Sequence, residues 1–150
     1  MINIERCKSD IEKCKSVVKS IEFHFWPMFT MWNKYILLSR NNSDWIEIKA
    51  GCSCLIDFPD ELPTVSISEW NRILGVIFDD LKFLEWDNHY DRIDVMDGYE
   101  WGIRIALNRR YRYFEIYKGG WNAYPDCWPN VLKLFDPLIE KYGAFEQPCC

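Results

Sequence analysis

Residues 97–142, DGYEWGIRIALNRRYRYFEIYKGGWNAYPDCWPNVLKLFDPLIEKY, constrain the fold more tightly than any other part of the chain. Trp101, Ile103, Ile105 and Leu107 alternate with Gly102, Arg104 and Ala106, the period of a half-buried strand. Asn108-Arg109-Arg110 is placed to turn the chain. Tyr111 to Lys118 returns with apolar side chains on both faces, which suits a central strand. Gly119-Gly120 should break it. A helix then follows, with Asp126 as N-cap, Pro129 in the first turn, and Trp128, Val131, Leu132, Phe135, Leu138, Ile139 and Tyr142 on one stripe. Pro137 removes a main-chain donor, so a kink or a restart capped by Asp136 is expected, and Gly143 is placed for a C-terminal cap.

The rest of the chain has to pack against this unit. Ile4, Cys7, Ile11, Cys14, Val18 and Ile21 recur at spacings of three and four, predicting one helix from residue 2 to about 20. On such a helix Cys7 and Cys14 stand about 10 Å apart and serve as small core hydrophobes. From Glu22 the period becomes two. Phe23 and Phe25 and the run Met28 to Trp32 read as a strand interrupted by Pro27, suited to an edge or a bulge. Tyr35–Ser39 and Trp45–Lys49 give two more strands around an Asn41-Asn42-Ser43-Asp44 turn. Ser66 and Glu69 have capping-box spacing, and the apolar period from Ile67 to Leu84 predicts a helix reaching about Glu85. Arg92–Val95 is a short strand leading to a tight turn at Asp97-Gly98. The expected fold is α+β: a single domain over 1–150, with an antiparallel sheet of two meanders and about three helices mainly on one face.

Asp97-Gly98, Trp101, Ile103, Ile105, Gly120, Asn122, Ala123, Tyr124, Pro125, Trp128 and Leu132 together resemble a pattern in small bacterial α+β proteins, mostly uncharacterised. There a DGxxW strand leads through a GxNAYP turn into a terminal helix. The likeness covers under a third of the chain, and Gly119-Gly120-Trp121 departs from the small polar residue usual before the Asn. It implies scaffold and no catalytic residue: Gly allows a sharp exit, the Asn side chain bonds to main chain, and Tyr-Pro stiffens the helix entry.

Charge and composition narrow the function. The net charge of −5 is concentrated, because residues 57–100 carry 3 Lys/Arg against 12 Asp/Glu. Nucleic-acid affinity comes largely from cations against phosphate, so nucleic acid is disfavoured and a basic protein partner preferred. No 18-residue apolar run exists, so no membrane span is expected. The N-terminal MINIERCKSD has no signal-peptide apolar run, so the chain is expected in the cytoplasm, with its seven cysteines reduced. Aromatics reach 17%, a composition that serves a core or an interface equally. A small, acidic, aromatic-rich domain is similar in overall character to the immunity proteins of bacterial toxin systems, which neutralise a toxin by covering it.

Catalytic and cofactor signals are thin. Cys52-x-Cys54 lacks a second pair at zinc-site spacing, with Cys127, Cys149, Cys150, His24 and His89 the remaining donors, so no metal or other cofactor is expected. Asp87, His89 and Asp91 have the chemistry of a cation or acid–base site but equally that of a solvated loop. No nucleophile elbow or glycine-rich phosphate loop occurs. Arg104, Arg109, Arg110 and Arg112, interleaved with Tyr111 and Tyr113, form at most a small basic-aromatic hairpin tip. Two functions remain. The first is a non-enzymatic binding module whose acidic face, Asp79, Asp80, Glu85, Asp87, Asp91 and Asp94, docks a basic partner, a toxin domain included. The second is a small-molecule or nucleotide-binding domain, enzymatic or not, with a pocket lined by Trp101, Arg104, Trp121 and Tyr124.

Overall fold

The computed structural model describes residues 4–27, 33–41, 45–52, 61–91, 99–109 and 112–143. Its period-two segments pair into one seven-stranded sheet. In chain order the elements are α1 (Ile4–Ser9), α2 (Ile11–Ser16), β1 (Val18–Pro27), β2 (Lys34–Asn41), β3 (Trp45–Cys52), β4 (Thr64–Val65) and α3 (Ile67–Gly75). A π-helical turn (Val76–Asp80) and a 3-10 turn (Phe83–Glu85) lead to β5 (His89–Asp91), β6 (Tyr99–Arg109), β7 (Arg112–Trp121) and α4 (Trp128–Tyr142). The fold is α+β, as expected, but the sheet is not two meanders. Its order is β4-β3-β2-β1-β6-β7-β5, so β1 to β4 form one meander and the β6–β7 hairpin adds to the other side of β1. Beyond it, β5 pairs with β7 in parallel.

One face of the sheet carries the core. Ile21 and Phe23 of β1, Ile36 and Leu38 of β2, Ile46 and Ile48 of β3, and Trp101, Ile103 and Ile105 of β6 are buried together. The buried stripes of α3 (Trp70, Ile73, Leu74) and α4 (Val131, Phe135, Ile139) close over them, with Cys7 and Cys14 at one side. Phe23 stacks on Phe135 with centroids 4.5 Å apart, fixing α4 across the central strand. At about 25 cal/mol per Å² of apolar area, such rings dominate the stabilisation.

Several expectations change for local reasons. The N-terminal helix is two short helices, because the Asp10 side chain accepts from the Lys13 main-chain N–H at 3.1 Å and starts a new helix. Val18 and Ile21 therefore belong to β1. The new geometry also brings the Cys7 and Cys14 thiols within hydrogen-bonding range, where burial and that bond push the Cys14 thiol up. Pro27 ends β1, and β1 is central rather than an edge. Ser66 caps α3 as expected, accepting from Glu69 N–H at 3.1 Å. That helix loosens into the π turn, and Lys82 in the left-handed region (φ 51) ends the run before Glu85. Gly119 and Gly120 lie inside β7 and do not break it. Cys127, not Asp126, is the α4 N-cap, with no side-chain bond. The helix continues through Pro137 without a restart. Pro137 and Lys133, whose carbonyl loses its partner, are both exposed, so water can replace the bond. The expected strand Arg92–Val95, the turn at Asp97-Gly98 and the run Met28–Trp32 lie outside the described residues, as do Asn42-Ser43-Asp44.

Candidate binding face

No described helix covers the second face of the sheet. Alternation along β1 puts Glu22, His24 and Trp26 there, opposite Ile21, Phe23 and Phe25. The register then builds rows across the strands. Trp26 pairs with Glu100, Glu100 with Trp121, and Trp121 with Asp91. In the next row His24 lies between Tyr35 and Gly102, and Gly102 beside Gly119. In the third, Glu22 lies between Leu37 and Arg104, and Arg104 beside Tyr117.

The two glycines give this face its relief. A Cβ at Gly102 would meet the Tyr117 hydroxyl and stand 2.5 Å from His24 Cε1. One at Gly119 would stand 2.6 Å from Tyr117 Oη. The Tyr117 phenol thus lies across bare main chain, with its tip at the edge of the His24 imidazole. His24 packs against Trp26 at 4.4 Å between centroids, with the rings tilted by 37°. It is only 8% exposed, and its Nε2 has no hydrogen-bond partner.

Burial and the Arg104 charge lower the His24 pKa to about 4, so the imidazole is neutral near pH 7. Arg104 Nη1 stands 3.4 Å from Glu22 Oε1 and Nε 3.4 Å from Glu115 Oε2, and its guanidinium lies over the Tyr117 ring at 5.3 Å. Its positive charge is therefore matched within the sheet. Burial, helped by Glu100, raises the Tyr117 pKa, and burial with Glu22 raises that of Tyr35; both remain phenols. Trp26, at 42%, and Tyr117 are exposed. By register, among the described residues, Glu22, Glu47, Asp91, Glu100 and Glu115 share the face with only Lys49 and Arg104 as opposing cations. Such a surface offers aromatic planes and carboxylates to a cationic group.

The acidic residues singled out from sequence divide between regions. Asp79 pairs with Lys15, and Asp79 and Glu85 border a depression of about 250 Å³ with Lys8 and Lys82. Asp80 is exposed on the π turn. Asp87 precedes β5, and its main-chain N–H donates to Tyr90 Oη at 3.1 Å. Asp91 reaches the open face, 2.7 Å from His89 Nε2. Asp94 lies outside the described residues.

The four candidate pocket residues do not converge. Trp101 is fully buried on the helix side, donating from Nε1 to Ala123 O at 2.8 Å, and Tyr124 stacks beside it. Arg104 and Trp121 stand on the opposite face. Cys127 borders the core, with its thiol raised by burial. Cys52 ends β3 with its side chain outside the described set, and Cys54, Cys149 and Cys150 lie outside it altogether. The same holds for Arg110 and Tyr111, and for the side chains of Arg109, Arg112 and Tyr113.

The sequence points to His24 only as a metal ligand or a catalytic base and to Glu100 only as part of the acidic run, and it gives Trp26 no role. The signal was present, since Glu22, His24 and Trp26 alternate with the apolar Ile21, Phe23 and Phe25. No helix among the described residues is long and apolar enough to cross a membrane. Compared with known proteins, no family model, curated protein or solved structure matches this chain.

Proposed function

We propose that the chain is a non-enzymatic protein-binding module that docks a basic protein partner. The observation supporting this reading is the sheet face that no described helix covers, where exposed aromatics stand among described carboxylates that outnumber the described cations beside them. Aromatic side chains give contact area at small entropic cost, and the charge excess steers a cationic surface. The acidic segment adds Asp91 to this face and Asp87 near its edge, while Asp79, Asp80 and Glu85 stand apart on the helix side, near Lys8, Lys15 and Lys82. The biological form the reading expects is a cytoplasmic immunity protein that neutralises a basic toxin domain by covering it.

A ligand-binding alternative gains nothing from Trp101, whose ring is enclosed on the helix side. The test is affinity capture from the native host, followed by calorimetry with the purified captured protein at rising salt. A basic partner whose affinity falls with salt is expected. An acidic partner, or salt-indifferent binding, overturns the reading.

A further inference from the structure

The edge row of the open face alternates in chemical type across four strands: Trp26 on β1, Glu100 on β6, Trp121 on β7 and Asp91 on β5. Neighbouring strands lie about 4.8 Å apart, so each carboxylate stands beside an indole plane. Glu100 has an indole on both sides and faces no cation among the described residues. Arg104, four residues along β6, is already held between Glu22 and Glu115. Behind the row, the His24 ring, whose Nε2 has no partner, packs against the Trp26 ring with its Cε1 edge toward the Tyr117 tip.

We infer that this row recognises arginine side chains of the basic partner, with Glu100 pairing one guanidinium between Trp26 and Trp121. Guanidinium is planar, stacks on aromatic rings, and presents paired donors matched to a carboxylate. An ammonium is compact and strongly hydrated, and gains less from a flat indole. The uncharged His24 adds no repulsion. This inference rests on the reading of a basic partner and specifies which cation that partner must present.

Fluorescein-labelled hexaarginine and hexalysine peptides, titrated by anisotropy at moderate salt, separate this idea from general charge attraction. Hexaarginine should bind about fivefold or more tightly than hexalysine. Trp26→Ala and Glu100→Gln should each weaken hexaarginine by about threefold or more, and Trp26→Phe should retain most of the binding. Glu140→Gln, on the far side of α4, should change it less than about twofold. Thermal melting of each variant confirms folding.

Equal affinity for the two peptides, or unchanged binding in Trp26→Ala and Glu100→Gln, overturns the inference. If a captured basic partner binds both variants as well as wild type, the arginine row is wrong while the wider reading stands. An acidic captured partner removes both.

Discussion

Lys118 Nζ, on the helix-side face of β7, donates to the main-chain oxygen of Leu84 at 3.3 Å, from a side chain only 1% exposed. It also donates to Trp86 O and lies 5.5 Å over the Phe83 ring. One buried ammonium thereby anchors the 3-10 turn to the sheet and positions the approach to β5. Burial, with the Lys8 charge, lowers its pKa from 10.5 to about 8. Between those values the unfolded chain holds the proton that the folded chain has lost, so stability rises with pH through this window. At about 1.4 kcal/mol per pH unit the gain is on the order of 3 kcal/mol. Urea midpoints of wild type and Lys118→Met, measured from pH 7 to 10.5, should diverge in favour of wild type as pH rises. A constant difference contradicts this.

His24 gives the acid-side counterpart. Its pKa falls from 6.5 to about 4 on folding, through burial and then Arg104, so the unfolded chain takes up the proton first as pH drops. The associated stability is present above pH 6.5 and lost toward pH 4, again on the order of 3 kcal/mol. His24→Phe should flatten that part of the profile. In NMR, the His24 ring proton should not titrate near pH 6.5, whereas a shift there sinks the assignment.

Local pattern carried much of the fold, and tertiary approach decided the rest. The alternation from Trp101 to Leu107 and the Ser66 cap were legible because each follows from neighbours in sequence. The N-terminal helix was misread because Val18 and Ile21 satisfy a helical spacing as well as the strand they join. Gly119-Gly120 looks like a terminator, yet the close passage of β5 and β6 is what demands it. The face itself was half legible. Each of Trp26, Glu100, Trp121 and Asp91 has a visible local side, but only register across four strands makes them one row. A parallel pairing made by three residues, as in β5, leaves almost no trace in sequence.

Glycine substitutions should separate the two kinds of crowding. At Gly102 a methyl meets only side chains, the Tyr117 tip and His24. At Gly120 it meets the Tyr90 carbonyl oxygen, and the Ala123 oxygen at 2.9 Å, which are main chain and cannot swing aside. Gly102→Ala should cost about 1 kcal/mol and raise Tyr117 exposure, whereas Gly120→Ala should cost about 3 kcal/mol or more. Equilibrium urea unfolding gives both values, and a reversed order refutes the packing described.

Asn122 joins the turn after β7 to the start of β6. Its side-chain oxygen accepts from the Tyr99 main-chain N–H at 2.8 Å, and its own N–H donates to Tyr99 O at 3.0 Å. Its φ of 56 lies in the left-handed region, which Asn and Gly tolerate better than other residues. Two effects are therefore separable at one position. Asn122→Gly should lose the side-chain acceptor while easing the backbone, costing about 1 kcal/mol. Asn122→Ala should lose the acceptor and add left-handed strain, costing about 2 to 3 kcal/mol. Asn122→Asp keeps an acceptor and a tolerated backbone, and should stay within about 1 kcal/mol of wild type. If Ala proves as mild as Asp, this residue is a passive part of the turn, and Trp121 is held at the open face by the β6–β7 ladder alone.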